Sequence, residues 1–238
     1  MIYFLTSSSV APGTDTLNLE NSFVEELKKV LPATISGLFI CSDPDHYERT
    51  DRFSSSVKAS FEDAGFTFSQ FNILDRRTEK LAEKLVSTAN FIILAGGHVP
   101  TQNRFFAEIR LRELLQNWDG VLMGISAGTM NSAEVVYAHP ELEGETSPDF
   151  RKFLPGLGLT KTMVLPHYQM IKDDVLDGLR VFEDIAYPDS VGRRFYALVD
   201  GSYLFGKDGT EELRGEAYLI EDGVLTQISK SGDILVLK

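Results

Sequence analysis

Short apolar runs alternate with amphipathic stretches through the first half of the chain. Residues 2–5, 35–41, 66–74, 91–94 and 121–125 are rich in β-branched, aromatic and aliphatic side chains and have strand length. Between them, Leu19, Phe23, Leu27, Val30 and Leu31 recur at helical spacing, which predicts a helix over 19–31. Further helices are predicted over 53–64, with Gly65 as the stop, over 79–87 and over 102–118. Strands that read as continuous apolar runs between amphipathic helices indicate a mostly parallel sheet covered on both faces, an α/β three-layer arrangement.

Beyond Pro188 the pattern changes to short strands over 195–199, 203–205, 216–220, 224–228 and 234–237. The turns between them contain Asp200-Gly201, Lys207-Asp208-Gly209, Glu221-Asp222-Gly223 and Ser231-Gly232, all with hairpin chemistry. No linker-like stretch precedes this part. It reads as an antiparallel extension of one domain over 1–238.

Composition narrows the function classes. The 238 residues are 43% hydrophobic and 24% charged, enough apolar material for a full core. The formal net charge of −12 repels phosphate backbones and anionic lipid, so neither nucleic acid nor membrane is expected as a partner. Cys41 is the only cysteine, and residues 1–5 lack the basic start of a signal peptide, so a cytoplasmic location is the expectation. Cys41 itself reads as a buried apolar residue.

The strongest local signal is Gly124-Ile125-Ser126-Ala127-Gly128, which follows an apolar strand and precedes a helix. This is the spacing of a nucleophile elbow, whose small flanking residues let the backbone turn sharply and lift the serine hydroxyl above the sheet edge. A plain strand-to-helix turn with a capping serine is the bland alternative. The N–H of Ala127 opens the following helix and is a candidate oxyanion donor. A second glycine turn, Ala95-Gly96-Gly97-His98, also follows an apolar strand and offers Gly97 as the other donor. No P-loop lysine or G-x-G-x-x-G accompanies it, and the four histidines lack metal-ligand spacing, so neither a nucleotide nor a metal cofactor is expected. Among the histidines, His167 is preferred as the base. It ends the apolar run 163–166, and Pro166 keeps the residue before it extended, which places His167 at the carboxyl edge of a strand.

Leu94-Ala95-Gly96-Gly97-His98, the elbow, Leu165-Pro166-His167-Tyr168 and Val199-Asp200-Gly201-Ser202, in this order and spacing, resemble peptidase family S51, which holds aspartyl dipeptidase and cyanophycinase. The resemblance covers nearly the whole chain. It implies a three-layer fold similar to class I glutamine amidotransferases, with Ser126 as nucleophile, His167 as general base, and Gly97 and Ala127 as oxyanion amides.

For the third catalytic member the resemblance leaves several carboxylates open. Counting forward from Ser126 favours Glu141; counting back from His167 favours Glu145; Asp200 matches another carboxylate considered for this role. His98, Arg180 and Asp200 are the candidates for substrate contact, with Arg180 on the helix predicted after His167 and Arg104 as a further cation. The implied activity is hydrolysis of small peptides, including dipeptides with N-terminal Asp, by a monomer or homodimer. An amidohydrolase or esterase with a non-peptide substrate and a non-catalytic binding protein are the alternatives.

Overall fold

The central sheet is built from the apolar runs. A computed structural model describes residues 1–237 and forms β1 (Ile2–Thr6), β2 (Ile35–Ile40), β3 (Phe68–Leu74), β4 (Phe91–Leu94) and β5 (Val121–Ile125) as five parallel strands. Their side chains divide cleanly between two faces, as a period of two requires. Phe4, Phe39, Phe91, Ile93 and Met123 pack under α1 (Phe23–Val30) and α2 (Tyr47–Asp63). Leu5, Leu38, Ile40, Ile92, Leu94 and Leu122 face α3 (Ala82–Thr88), α4 (Val99–Glu108) and α5 (Leu111–Leu115). The sheet is thus the middle of three layers.

The chain leaves β5 through α6 (Ala127–Asn131). The next strands are β6 (Val135–Tyr137), β7 (Phe153–Pro155) and β8 (Met163–Leu165), followed by α7 (Tyr168–Ile171). A two-stranded hairpin, β9 (Val175–Leu176) and β10 (Leu179–Arg180), turns at Asp177-Gly178, both at positive φ. After α8 (Tyr187–Asp189) come β11 (Arg194–Leu198), β12 (Tyr203–Lys207), β13 (Thr210–Arg214), β14 (Ala217–Glu221), β15 (Val224–Ser229) and β16 (Ile234–Leu237).

These late strands are shared between two sheets. β12, β13 and β16 extend the central sheet antiparallel from β1, giving the order β16-β13-β12-β1-β5-β4-β2-β3. β14 and β15 join β11 and β8 in a separate four-stranded sheet, in which β8 and β11 are parallel. The Asp200-Gly201 turn is therefore not a hairpin. It carries the chain from one sheet to the other, and this sets up the site.

Three local expectations are corrected. The helix predicted over 19–31 begins only at Phe23, because Asn21 and Ser22 take positive φ and Asn21 bonds to Gly201 and Gly232. The helix predicted over 102–118 starts at Val99 and breaks at Arg110, whose φ of 54° splits it into α4 and α5. Arg180 lies in a strand and not on a helix, since α7 ends at Ile171 and the β9–β10 hairpin follows. No helix among the described residues is long and apolar enough to cross a membrane.

Candidate active site

Ser126 sits where β5 turns into α6, at φ 50° and ψ −107°, a conformation that L-residues avoid and that nucleophile elbows adopt. The two flanking glycines make the turn possible. A Cβ on Gly128 would collide with the Leu94 carbonyl, and one on Gly124 would lie 2.8 Å from the Thr129 nitrogen. The elbow is pinned to β1. Thr6 O accepts from Ser126 N at 3.1 Å and from the Thr129 hydroxyl at 2.8 Å, while the Thr6 hydroxyl donates to Gly124 O at 2.9 Å.

The Gly96–Gly97 turn packs directly on this elbow, since a Cβ on Gly96 would stand 3.5 Å from Ser126 Cβ. A buried amide network holds the two turns together: Gln102 donates to Ala95 O at 2.7 Å, and Asn131 donates to Gln102 at 3.0 Å and to Val99 O at 3.2 Å. Ala127, fully buried, opens α6, and a first-turn N–H has no acceptor within its own helix. The candidate oxyanion donors thus flank the serine on adjoining turns.

His167 follows β8 with φ 59° and ψ 34°, so its ring leaves the strand direction at once. Its backbone N–H donates to Ser7 Oγ at 2.8 Å, and its Nδ1 lies 2.7 Å from Asp200 Oδ1. A carboxylate oxygen only accepts, so Nδ1 carries the proton and Nε2 keeps a lone pair. Asp200 is fully used: Oδ1 also accepts from the Ser7 hydroxyl at 2.7 Å and Oδ2 from Gln169 Nε2 at 2.7 Å. Gln169 Oε1 in turn accepts from Asp200 N at 3.1 Å. Burial pushes the Asp200 carboxyl up, but the hydrogen bond and charge of His167, with bonds from Ser7 and Gln169, outweigh it and hold the group below its ordinary range.

The glutamates ranked first from the sequence as partners of His167 are placed elsewhere. Glu145 Oε1 lies 2.8 Å from His98 Nε2, and its Oε2 accepts from the backbone N–H groups of Glu141 and Leu142 at 2.9 and 3.0 Å. Burial raises the Glu145 carboxyl, yet these backbone bonds and His98 bring it below the usual range. Glu141 Oε1 stands 3.8 Å from His139 Nε2. The carboxylate that orients His167 is Asp200, because the loop holding Glu141 and Glu145 folds onto the Gly97 turn and not onto β8.

The candidates for substrate contact also change. Both His98 ring nitrogens are engaged within the protein, Nε2 by Glu145 and Nδ1 by the Thr101 hydroxyl at 2.8 Å. Arg180 is paired with Asp184 through Nε and Nη2 at 2.9 and 2.8 Å, and Arg104 stands exposed on α4. Two residues escaped the sequence reading altogether, Ser7 and Gln169. Ser7 follows an apolar strand whose carboxyl end lies at the site, and that position was the available signal.

Comparison with known proteins places this geometry. The model of peptidase family S51 matches residues 3–213, and the chain belongs to that family, a family of serine peptidases. Two solved structures share the fold over almost their full length. One is a peptidase from an acI-B1 Actinobacterium, 16% identical, with a TM-score of 0.68 over 99% of this chain and 96% of that one. The other is a candidate peptidase E protein from Listeria monocytogenes EGD-e, 15% identical, with a TM-score of 0.58 over 96% of this chain and 98% of that one. No curated protein matches.

Proposed function

We propose that the protein hydrolyses short peptides through an acyl-enzyme on Ser126, with His167 as general base and Asp200 as the group that orients it. One observation carries the reading. Successive residues at the end of β1 hold both partners, Thr6 O on Ser126 N at 3.1 Å and Ser7 Oγ on His167 N at 2.8 Å, so the backbones of Ser126 and His167 are anchored to one strand end.

In this reading Ser126 Oγ attacks the peptide carbonyl carbon and its proton passes to His167 Nε2. The C–O bond forms and the carbonyl oxygen becomes an oxyanion that the N–H groups of Gly97 and Ala127 receive. Such donors contribute on the order of 3 kcal/mol each to lowering the barrier. Collapse breaks the C–N bond, and the proton on Nε2 goes to the departing amine. Water then repeats the cycle on the ester, giving up its proton to His167 and releasing the acid. Asp200 keeps the imidazole in the productive tautomer and offsets the charge it acquires.

Arg180, one of the two arginines considered for a substrate side-chain carboxylate, is occupied by Asp184. The reading is of a peptidase for short peptides, and a panel of Asp-Xaa and other dipeptides measures its side-chain preference. A fluorophosphonate should label Ser126 in the wild type, and Ser126→Ala should lose both label and turnover while keeping its melting temperature. Turnover of dipeptides at wild-type rate by Ser126→Ala would overturn the assignment. Hydrolysis of simple esters alone would favour a non-peptide hydrolase.

A further inference from the structure

Three serine hydroxyls fall in one row at the carboxyl edge of the central sheet. Ile40, Leu94, Gly124 and Leu5 face one another across β2, β4, β5 and β1. Two residues further on, the same register brings up Ser42, Gly96, Ser126 and Ser7. Ser126 is the nucleophile of the reading above, and the Ser7 hydroxyl is taken up by Asp200 and His167. Ser42, across the Gly96–Gly97 turn from the nucleophile, has no part in that chemistry.

Ser42 is pressed against the turn. A Cβ on Gly97 would collide with the Ser42 hydroxyl and lie 2.6 Å from Ser42 Cβ. On its other side the turn touches the nucleophile, since a Cβ on Gly96 would stand 3.5 Å from that of Ser126. Only a residue without a side chain at 97 lets the hydroxyl come so near the backbone that offers the oxyanion N–H. Ser42 is 9% exposed, yet its Oγ makes no hydrogen bond among the described residues. Nor is it sealed in. Asn18 Nδ2 is the one fully enclosed side-chain nitrogen or oxygen without a partner there, so Ser42 Oγ reaches solvent.

A largely buried serine ordinarily spends its hydroxyl on a nearby acceptor. The acids around Ser42 do not claim it. Asp43 Oδ2 faces His46 Nδ1 at 2.8 Å, and Asp75 Oδ2 accepts from Arg77 at 2.6 Å. The result is an uncommitted donor beside Gly97.

We propose that the Ser42 hydroxyl is a third donor to the oxyanion, beside the N–H groups of Gly97 and Ala127. A hydroxyl rotates about its C–O bond and can turn its proton to an oxygen that gains charge only during reaction. It keeps that proton throughout, and only the hydrogen bond strengthens as the carbonyl oxygen becomes negative. No existing bond has to break first. An interaction made in the transition state alone raises turnover without tightening substrate binding.

The assignment rests on the serine-peptidase reading of Ser126, and the two can fail separately. A fluorophosphonate places its phosphoryl oxygen where the oxyanion forms, so Ser42→Ala should slow labelling of Ser126 at least about tenfold. For the dipeptide that the wild type turns over fastest, kcat should fall at least about tenfold with KM changed less than about threefold. The pH profile of kcat/KM should keep its shape, as the hydroxyl does not titrate. Ser42→Cys fills the same space with a weak donor and should be as slow as Ser42→Ala.

Labelling of Ser42→Ala at the wild-type rate overturns the proposal. A rise in KM at unchanged kcat also overturns it, and makes Ser42 a contact for bound substrate instead. Recovery of the rate in Ser42→Cys would reduce Ser42 to a residue that packs against Gly97. Absence of label on Ser126 in the wild type is a different result: it removes the hydrolase reading and the third donor with it.

Discussion

His167 and Asp200 meet because the strands that carry them, β8 and β11, are parallel neighbours, with Leu165 opposite Ala197. Both strands release their chains at the same edge. Two residues beyond one register position and three beyond the other, an imidazole Nδ1 and a carboxylate oxygen face each other at 2.7 Å. The pair is thus a product of strand pairing, and Ser7, reaching in from β1, bonds to both of its members.

Exchanging the acid tests this pairing directly. Asp200→Asn should lower kcat about 10³- to 10⁴-fold, since an amide no longer fixes the imidazole tautomer or offsets its charge. Glu145→Gln should lower kcat less than about tenfold. The reverse ranking in steady-state kinetics would return the role to the loop glutamate.

Ser7 is a positioning residue whose loss leaves His167 N–H without its acceptor and Asp200 with one donor fewer. A buried group stripped of its partner costs about 1–3 kcal/mol, so Ser7→Ala should lose roughly ten- to a hundredfold in kcat with little change in KM. Ser7→Thr, which keeps the hydroxyl, should recover part of the rate. A variant that lowers only the melting temperature would reduce Ser7 to a structural role.

Gly128→Ala should destabilise the fold by about 2–4 kcal/mol, because its methyl meets backbone of β4 that cannot step aside. A urea midpoint close to that of the wild type would mean that β4 and the elbow are more loosely packed than the structure shows.

Two carboxyls make stability depend on pH in opposite directions. Glu141 has its folded pKa raised from the ordinary 4.5 to about 8, so the folded state holds the proton longer and stability falls between those limits as pH rises. Glu141→Gln should flatten that fall and be the more stable protein at pH 8, with no advantage at pH 4. Asp200 is lowered below the ordinary 3.8, so its contribution is complete above that value and disappears as pH falls through the lower folded one. Asp200→Asn should lose that acid-side dependence in urea titrations.

The parallel half of the fold was legible because its strands are buried on both faces and read as uninterrupted apolar runs. The elbow was legible because it is local, five consecutive residues between one strand and one helix. Asp200 was harder to assign, since Asp200-Gly201 has the chemistry of a hairpin turn and only the division of β11 and β12 between two sheets brings it to His167. Counting along the chain pointed to Glu141 and Glu145, but a loop that folds back onto a different turn defeats counting. The strand β13 was missed because Thr210-Glu211-Glu212-Leu213-Arg214 is mostly polar in sequence. Its Glu212 and Arg214 pair with each other beside Glu26, a solution visible only once α1 packs nearby.

The bond between Ser7 and Asp200 joins residues 193 positions apart. A ribosome delivers Ser126 and its elbow long before it delivers Asp200, and His167 lacks the partner of its Nδ1 until β11 is laid beside β8. In the proposed mechanism hydrolytic competence would therefore arrive only once Asp200 is in place, and a nascent chain ending before it would have no working protease to turn on its neighbours.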